Sequence, residues 1–440
     1  MEEALGRAGE WARLNAVVHL DVEGARRAAA EHSREGALAG VPVLVKEIVE
    51  VEGLPFRCGS AAMDVIGRRD AEVVARFRAA GAIVIGLSHS HEFAYGCTGT
   101  SNRVGPCRNP HDLTRMTGGS SSGAAAAVAA GIVPLAIGTD TAGSVRIPAA
   151  LCGVVGFKPE YGTLPVDGVF PLAQSLDHVG VLTTTVADAA YALAAVSDTV
   201  RAPAGNAAEW RGVVADDTGR APARDTAGRL GMGASDSGQG QRPGLRLGRV
   251  VNEEYLDFTA EVGAVWEDAI RRIEGAGAVV SDVRLPDWGE SSRVAADIQG
   301  PEAAANHAGL STELYQADVQ ERLREAAGVS EERYDAARAR AVEISKAMGD
   351  LLREVDAVIT PTVLTTAPPI DAVGTAAGAL AVRAQLLKNT RLANLTGHPA
   401  ITIPLPTKGL PVGLQVIAEG NDQAIAVAQW IEGLGLHEVG

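Results

Sequence analysis

Residues 118–159 read GGSSSGAAAAVAAGIVPLAIGTDTAGSVRIPAALCGVVGFKP, and the fold turns on this stretch. A turn of small residues opens it, with serines at Ser120, Ser121 and Ser122 between Gly119 and Gly123. The alanine run predicts a helix from about Ser121 to Ala130, Gly131 marks its stop, and Ile132 to Ile137 predict a strand. A second turn of small residues, Gly138 to Arg146, leaves that strand. Helix, strand and glycine-rich turn in this order are one unit of a layered α/β domain.

The same alternation continues outward. VPVLV (41–45) and AIVIG (82–86) predict buried strands. Between them DAEVVARFRAAGA, from Asp70, sets Val73, Val74, Phe77 and Ala80 at helical spacing and stops at Gly81. Downstream, about 201–243 is rich in Gly, Ala, Asp and Pro, lacks periodicity, and reads as a flexible loop or linker. Beyond it LRLGRVV (245–251), a helix over about 261–274 and AVVSDVRL (278–285) resume the pattern. Stretches 311–327 and 330–355 carry dense charge of both signs and predict helices facing solvent. DAVITPTV, PAITIPL and GLQVIA supply three more strand candidates near the end.

Composition bounds the function. The 39 basic and 54 acidic residues leave a net charge of −15, which repels phosphate backbones and anionic lipid, and no basic patch is segregated. No nucleic-acid partner and no membrane are expected. The four cysteines form no C-x-x-C pair, so neither a zinc site nor a disulfide framework is indicated. The first residues lack an apolar leader run, and a cytoplasmic location is the expectation. No phosphate-binding glycine motif follows a strand.

Three places carry candidate chemistry, each with a plainer alternative. Lys46 ends a buried strand, where desolvation favours a neutral amine and hence a base; the alternative is an ion pair with adjacent Glu47. The serines at 120–122 sit where backbone amides and a helix N-terminus crowd a reacting group; the alternative is ordinary capping. The turn Asp140, Thr141, Ala142, Gly143, Ser144, Val145, Arg146 can aim several N–H groups at one spot, with Asp140 and Arg146 bridging it; the alternative is a simple glycine turn. Gly119–Gly123 also satisfies G-x-S-x-G, which would make Ser121 a nucleophile. That reading needs a preceding strand, and RNPHDLTRMT offers no apolar run for one. His89 and His91 lack a third partner for a metal.

Taken together, these segments resemble the amidase signature family of serine hydrolases. The family pattern GGSSGG, GTDxGGSxRxPA and GxxGxKP runs through 118–159. GVPVLVKE (40–47), HEFAYG (91–96), SLDHVG (175–180), ITPT (359–362), NLTGHPAITIP (394–404) and GLPVGLQVI (409–417) extend the match over nearly the whole chain. The resemblance implies one α/β/α domain, with a central twisted mixed β-sheet covered by helices. It implies amide hydrolysis through an acyl-enzyme and a Ser-Ser-Lys triad, with Ser144 as nucleophile, Ser120 as bridging serine after a cis peptide, and Lys46 as base. Backbone N–H groups of Thr141, Ala142, Gly143 and Ser144 would form the oxyanion hole, with Asp140 and Arg146 as support. No cofactor or metal is implied.

Tyr95, Gly96, Thr117, Phe170, Ser175 and Asp177, with the charged helices of 300–350, are expected to meet a small-molecule amide. Three positions depart from the pattern: Ser122 stands for a glycine, Ala142 for the first glycine of a pair, and Glu47 for an aspartate. An alanine resists positive φ, so the amide directions at 141–143 depend on how Ala142 is accommodated. Two alternatives use the same acyl-serine: the amidase component of a tRNA-dependent amidotransferase complex, and an acyltransferase. A third is a catalytically silent binding protein. Oligomeric state is open, a homodimer being one option.

Overall fold

The computed structural model of the chain describes residues 1–31, 35–200, 244–253, 256–285 and 288–435; the loop expected at about 201–243 lies outside them. Among the described residues eleven strands form one sheet. In spatial order they are Val17–Leu20, Ile83–Ser88, Pro42–Lys46, Leu135–Asp140, His178–Thr183, Val155–Lys158, Ala400–Leu405, Val412–Ile417, Ala357–Pro361, Arg246–Val250 and Val279–Val283. Pro42–Lys46 runs parallel to both of its neighbours, the strands from Leu135–Asp140 through to Ala357–Pro361 pair antiparallel, and the far edge is parallel again. The sheet is therefore mixed, as expected.

Strand periodicity explains the layers. Val43 and Val45 enter one core cluster with Phe77, Leu135, Ile137 and Trp266, while Leu44 between them enters another with Ala124, Ala125, Ala136 and Leu182. Successive residues thus face opposite helical covers. By the same alternation Lys46 follows Leu44 toward the face covered by the helix Ser122–Ala129. That helix is built for close approach: Ala124 to Ala127 are buried, and a Cβ on Gly123 would lie 2.1 Å from the Ala16 carbonyl oxygen.

Several boundaries differ from the sequence reading. The strand expected at 132–137 is Leu135–Asp140, because Pro134 cannot donate to the ladder and the pairing starts after it. The shift makes Asp140 the last strand residue, paired with His178. Asp112–Met116 is a strand, paired with Arg108–Asn109, despite its lack of an apolar run. The stretch 311–327 is helical only over Ala317–Ala326, and a further helix, Trp288–Asn306, precedes it. The helix Glu331–Leu352 is more than a solvent cover, since Ile344, Met348 and Leu352 are buried against the sheet. Among the described residues no helix is long and apolar enough to cross a membrane.

Candidate active site

Register brings the lysine to the serines. Pro42–Lys46 pairs in parallel with Leu135–Asp140, Val45 opposite Ile137, so Lys46 emerges beside the last residues of that neighbour. Its Nζ lies 2.7 Å from Ser120 Oγ and 2.8 Å from Thr139 Oγ1. The alternative pairing with Glu47 does not occur. Glu47 Oε1 instead accepts from the Ser90 N–H at 3.0 Å and Asn102 Nδ2 at 2.7 Å, and burial raises its carboxyl pKa. Burial also dominates at Lys46, pulling the amine down to about 7 against the opposing pull of Asp140, Asp177 and Glu47. Near neutral pH a large fraction of this lysine is therefore unprotonated.

The serine turn holds its three side chains in different ways. The Gly119–Ser120 peptide is cis. Ser121 is fastened to the sheet, its Oγ donating to the Thr139 carbonyl at 3.0 Å and accepting from the Thr139 N–H at 3.2 Å. The strand Asp112–Met116 lifts the sequence objection to an elbow at Ser121, but this buried double contact leaves its hydroxyl tied to the backbone. Ser122 Oγ lies 2.9 Å from His89 Nδ1, whose other nitrogen meets the Gly105 carbonyl at 2.9 Å. Burial lowers His89 to about 4, so it is a neutral brace. His91 meets Asp318 at 3.1 Å. Among the described residues no three His, Cys, Asp or Glu side chains converge as a metal site.

The turn that carries Ser144 is organised by one carboxylate. Asp140 Oδ1 accepts from the Gly143 N–H at 2.8 Å and Oδ2 from the Val145 N–H at 3.0 Å. Arg146 clasps the same group, Nη2 to Oδ1 at 2.9 Å and Nε to Oδ2 at 3.0 Å, with both residues fully buried. Burial by itself would raise the Asp140 carboxyl, yet the Arg146 guanidinium, Lys158 and Asn394 together hold it well below the usual range. Arg146 also donates to the Thr390 carbonyl at 2.8 Å, Gln415 Oε1 at 2.6 Å and Asn394 Oδ1 at 2.6 Å. Asp140 and Arg146 thus join the turn to the C-terminal part of the sheet.

Gly143 requires a correction. Its N–H, expected among the oxyanion donors, points at Asp140. Among the described residues nothing accepts the N–H groups of Thr141, Ala142 or Ser144. Ala142 needs no left-handed backbone; that conformation falls on Gly143, at φ +121°. Ser144 sits next to the serine turn, its carbonyl accepting the Ser121 N–H at 3.1 Å. Lys46 and Ser120 are 0% exposed and Ser144 is 6% exposed, so of the three only Ser144 meets the outside.

The six residues expected to meet substrate divide by their contacts. The Thr117 hydroxyl is buried and donates to the Gly118 carbonyl at 2.8 Å, which makes it part of the turn's framework. Asp177 accepts Thr141 Oγ1–H at 2.5 Å and the Leu172 and Ala173 N–H groups at 2.9 and 3.0 Å, so it fixes the Ser144 turn from the side. Burial pushes Asp177 up to about 7. Ser175 is exposed and bonds Glu302. Phe170 packs on Phe93, ring centres 4.9 Å apart. Gly96 leaves room for His91, whose Nε2 a Cβ there would meet at 2.2 Å. The Tyr95 carbonyl accepts from Arg322. Glu302 and Arg322 are the charged-helix residues that reach this set.

Thr139, Thr390, Asn394 and Gln415 are site residues that the motif reading missed. Thr139 had a signal, since it lies within the Gly-Thr-Asp run that closes the strand. The other three had none as clasp residues, because they meet Arg146 only through the tertiary fold.

Comparison with known proteins places the chain among enzymes that hydrolyse amide carbon–nitrogen bonds. It belongs to the amidase family, whose model, described as Amidase, matches residues 1–425. It is 35% identical to 2-amino-5-chloromuconic acid deaminase of Comamonas testosteroni, over 96% of this chain and 89% of that one. It is 33% identical to a glutamyl-tRNA(Gln) amidotransferase subunit of Deinococcus radiodurans, over 98% of this chain and 92% of that one. A crystal structure of an amidase superposes with a TM-score of 0.81 at 30% identity, covering 98% of this chain and 94% of that one.

Proposed function

We propose that the chain hydrolyses a small-molecule carboxamide through an acyl-enzyme on Ser144, activated by Ser120 and Lys46. The observation that carries this is the buried 2.7 Å contact between Lys46 Nζ and Ser120 Oγ, at an amine that burial pulls down to about 7. Neutral Lys46 takes the Ser120 proton as Ser120 takes that of Ser144, and the Ser144 oxygen attacks the carbonyl carbon. The N–H groups of Thr141, Ala142 and Ser144 receive the developing oxyanion, at roughly 3 kcal/mol per donor. As the tetrahedral intermediate collapses, the proton returns through Ser120 to the departing amine. Water attacks the acyl-serine by the same relay and releases the acid.

In this reading the chain acts as one domain. A cytoplasmic location fits four free, buried cysteines. The likeness to an amidotransferase component supports a second reading, in which ammonia passes to another acceptor in a larger complex. Intact-chain mass spectrometry after trapping with a panel of amides tests both. A Ser144 adduct with ammonia released to solvent, by the chain alone, supports the hydrolase; dependence on added partner chains supports the other.

A further inference from the structure

Beside this site lie three arginines that the relay does not use. Arg322 is the anchored one: it donates to the Tyr95 carbonyl and pairs with Asp318 at 2.8 Å, and Asp318 is shared with His91. Arg383 lies on the helix Ala376–Leu387, whose Val382 and Leu386 pack against Cys97, Ile147 and Leu151. Arg383 makes no hydrogen bond or ion pair to any described residue. Arg391 donates from Nη1 to the Ser292 carbonyl at 3.1 Å, and its buried Nε, like that of Arg322, finds no acceptor among the described residues. All three positive charges act on the Tyr95 hydroxyl and the Cys97 thiol.

The cluster is tied to both catalytic turns. Arg391 directly follows Thr390, whose hydroxyl donates to the Ala142 carbonyl at 2.6 Å, two residues before Ser144. Cys97 borders the other turn, where a Cβ on Gly119 would lie 3.5 Å from the Cys97 carbonyl carbon. The nearby carboxylates do not balance the charge. Asp318 is held by Arg322 and His91, and Glu325 acts on Arg383 without forming an ion pair. Burial, with Arg383 next, pulls Arg391 down to about 10. Partly desolvated guanidiniums without a counter-charge are costly unless a ligand supplies one, and their planar fork matches a carboxylate.

We propose that Arg383 and Arg391, braced by Arg322, form a carboxylate cradle beside Ser144, so that the amide cleaved here carries a free carboxylate in the same molecule. This specificity rests on the amide-hydrolase reading and goes beyond it. It also accounts for local positive charge in a chain whose net charge is −15.

The test pairs isosteric amides: succinamate with butyramide, and glutaramate with valeramide, read as ammonia release. The anionic member of at least one pair is expected to have kcat/KM about 100-fold higher or more. Arg383→Met and Arg391→Met are each expected to cut the anionic-to-neutral ratio roughly 10- to 100-fold, mainly through KM, with partial rescue in Arg391→Lys. A merely structural role would lower both rates together and leave the ratio unchanged. Fluorophosphonate labelling of Ser144 monitors assembly of the site in each variant. In the wild-type protein glutarate or succinate is expected to slow that labelling where uncharged 1-butanol does not. Intact labelling with no anionic preference, or ratios that survive both substitutions, overturns the cradle alone. Absence of both labelling and turnover overturns the hydrolase reading beneath it.

Discussion

Lys46 Nζ stands 2.7 Å from Ser120 Oγ although the two residues are 74 positions apart in the chain. The strand Pro42–Lys46 brings the amine to the mouth of the sheet, and the turn before the helix Ser122–Ala129 brings the hydroxyl. A buried ammonium there would need a carboxylate against it. Its two neighbours are hydroxyls, which suits an amine that gives up and regains a proton.

Ser144→Ala is expected to abolish amide turnover. Lys46→Ala should lower kcat by about 1,000-fold or more and Ser120→Ala by roughly 100- to 1,000-fold, since residues acting as a unit lose most of their effect together. Ammonia release under saturating amide measures all three. A Lys46→Ala enzyme working near the wild-type rate would remove the lysine from the mechanism.

The pH profile follows from the lysine. In the proposed relay only its neutral form accepts the Ser120 proton, so kcat/KM should rise with pH and reach half its plateau near pH 7. Asp177 also titrates near 7, and an Asp177→Asn enzyme separates the two. The rising limb that remains in it belongs to Lys46.

Stability carries the same signature. The folded lysine titrates near 7 against 10.5 for an ordinary one, so between those values the unfolded chain binds the extra proton. Stability should therefore increase with pH across that window and be lost progressively as pH falls toward 7. Thermal melts of wild type and Lys46→Met at pH 7 and 9 test this: the rise attributable to the lysine disappears in the variant.

Arg146→Met leaves Asp140 a buried carboxylate without its cation, and a loss of about 3–5 kcal/mol is expected. Urea unfolding measures it. Adding Asp140→Asn should recover part of the loss, because the stranded charge is then gone.

The two residues before Ser144 should respond to very different degrees. Gly143→Ala forces a side chain into φ +121° with its Cβ 2.4 Å from Thr390 Oγ1, so labelling of Ser144 should collapse. Ala142→Gly relieves no strain and should cost at most about 1 kcal/mol by loosening the unfolded chain, with turnover largely retained. Equal damage from both would mean that the turn's shape is not what matters.

Much of the site was legible because its chemistry is local. Ser120 and Ser144 stand in turns of small residues, and Lys46 ends an apolar run. Strands with an unbroken apolar stretch, such as Pro42–Lys46 and Ile83–Ser88, were readable for the same reason. His178–Thr183 went unread because Gly180 interrupts its apolar run and His178 and Thr183 bound it, and Val155–Lys158 because it is four residues long beside glycine. The role of Gly143 was misread because an amide's direction depends on where Asp140 points. Thr390, Asn394 and Gln415 lie 244 to 269 positions from Arg146, a distance that no local pattern spans.

That clasp has a bearing on when the molecule becomes an enzyme. All three side chains of the proposed relay are present by position 144, yet the turn carrying Ser144 is moored to residues 390, 394 and 415. A shortened chain ending before these moorings would own every side chain of the proposed relay and lack the frame that holds the Ser144 turn, so under that proposal competence would arrive only with the last strands of the sheet.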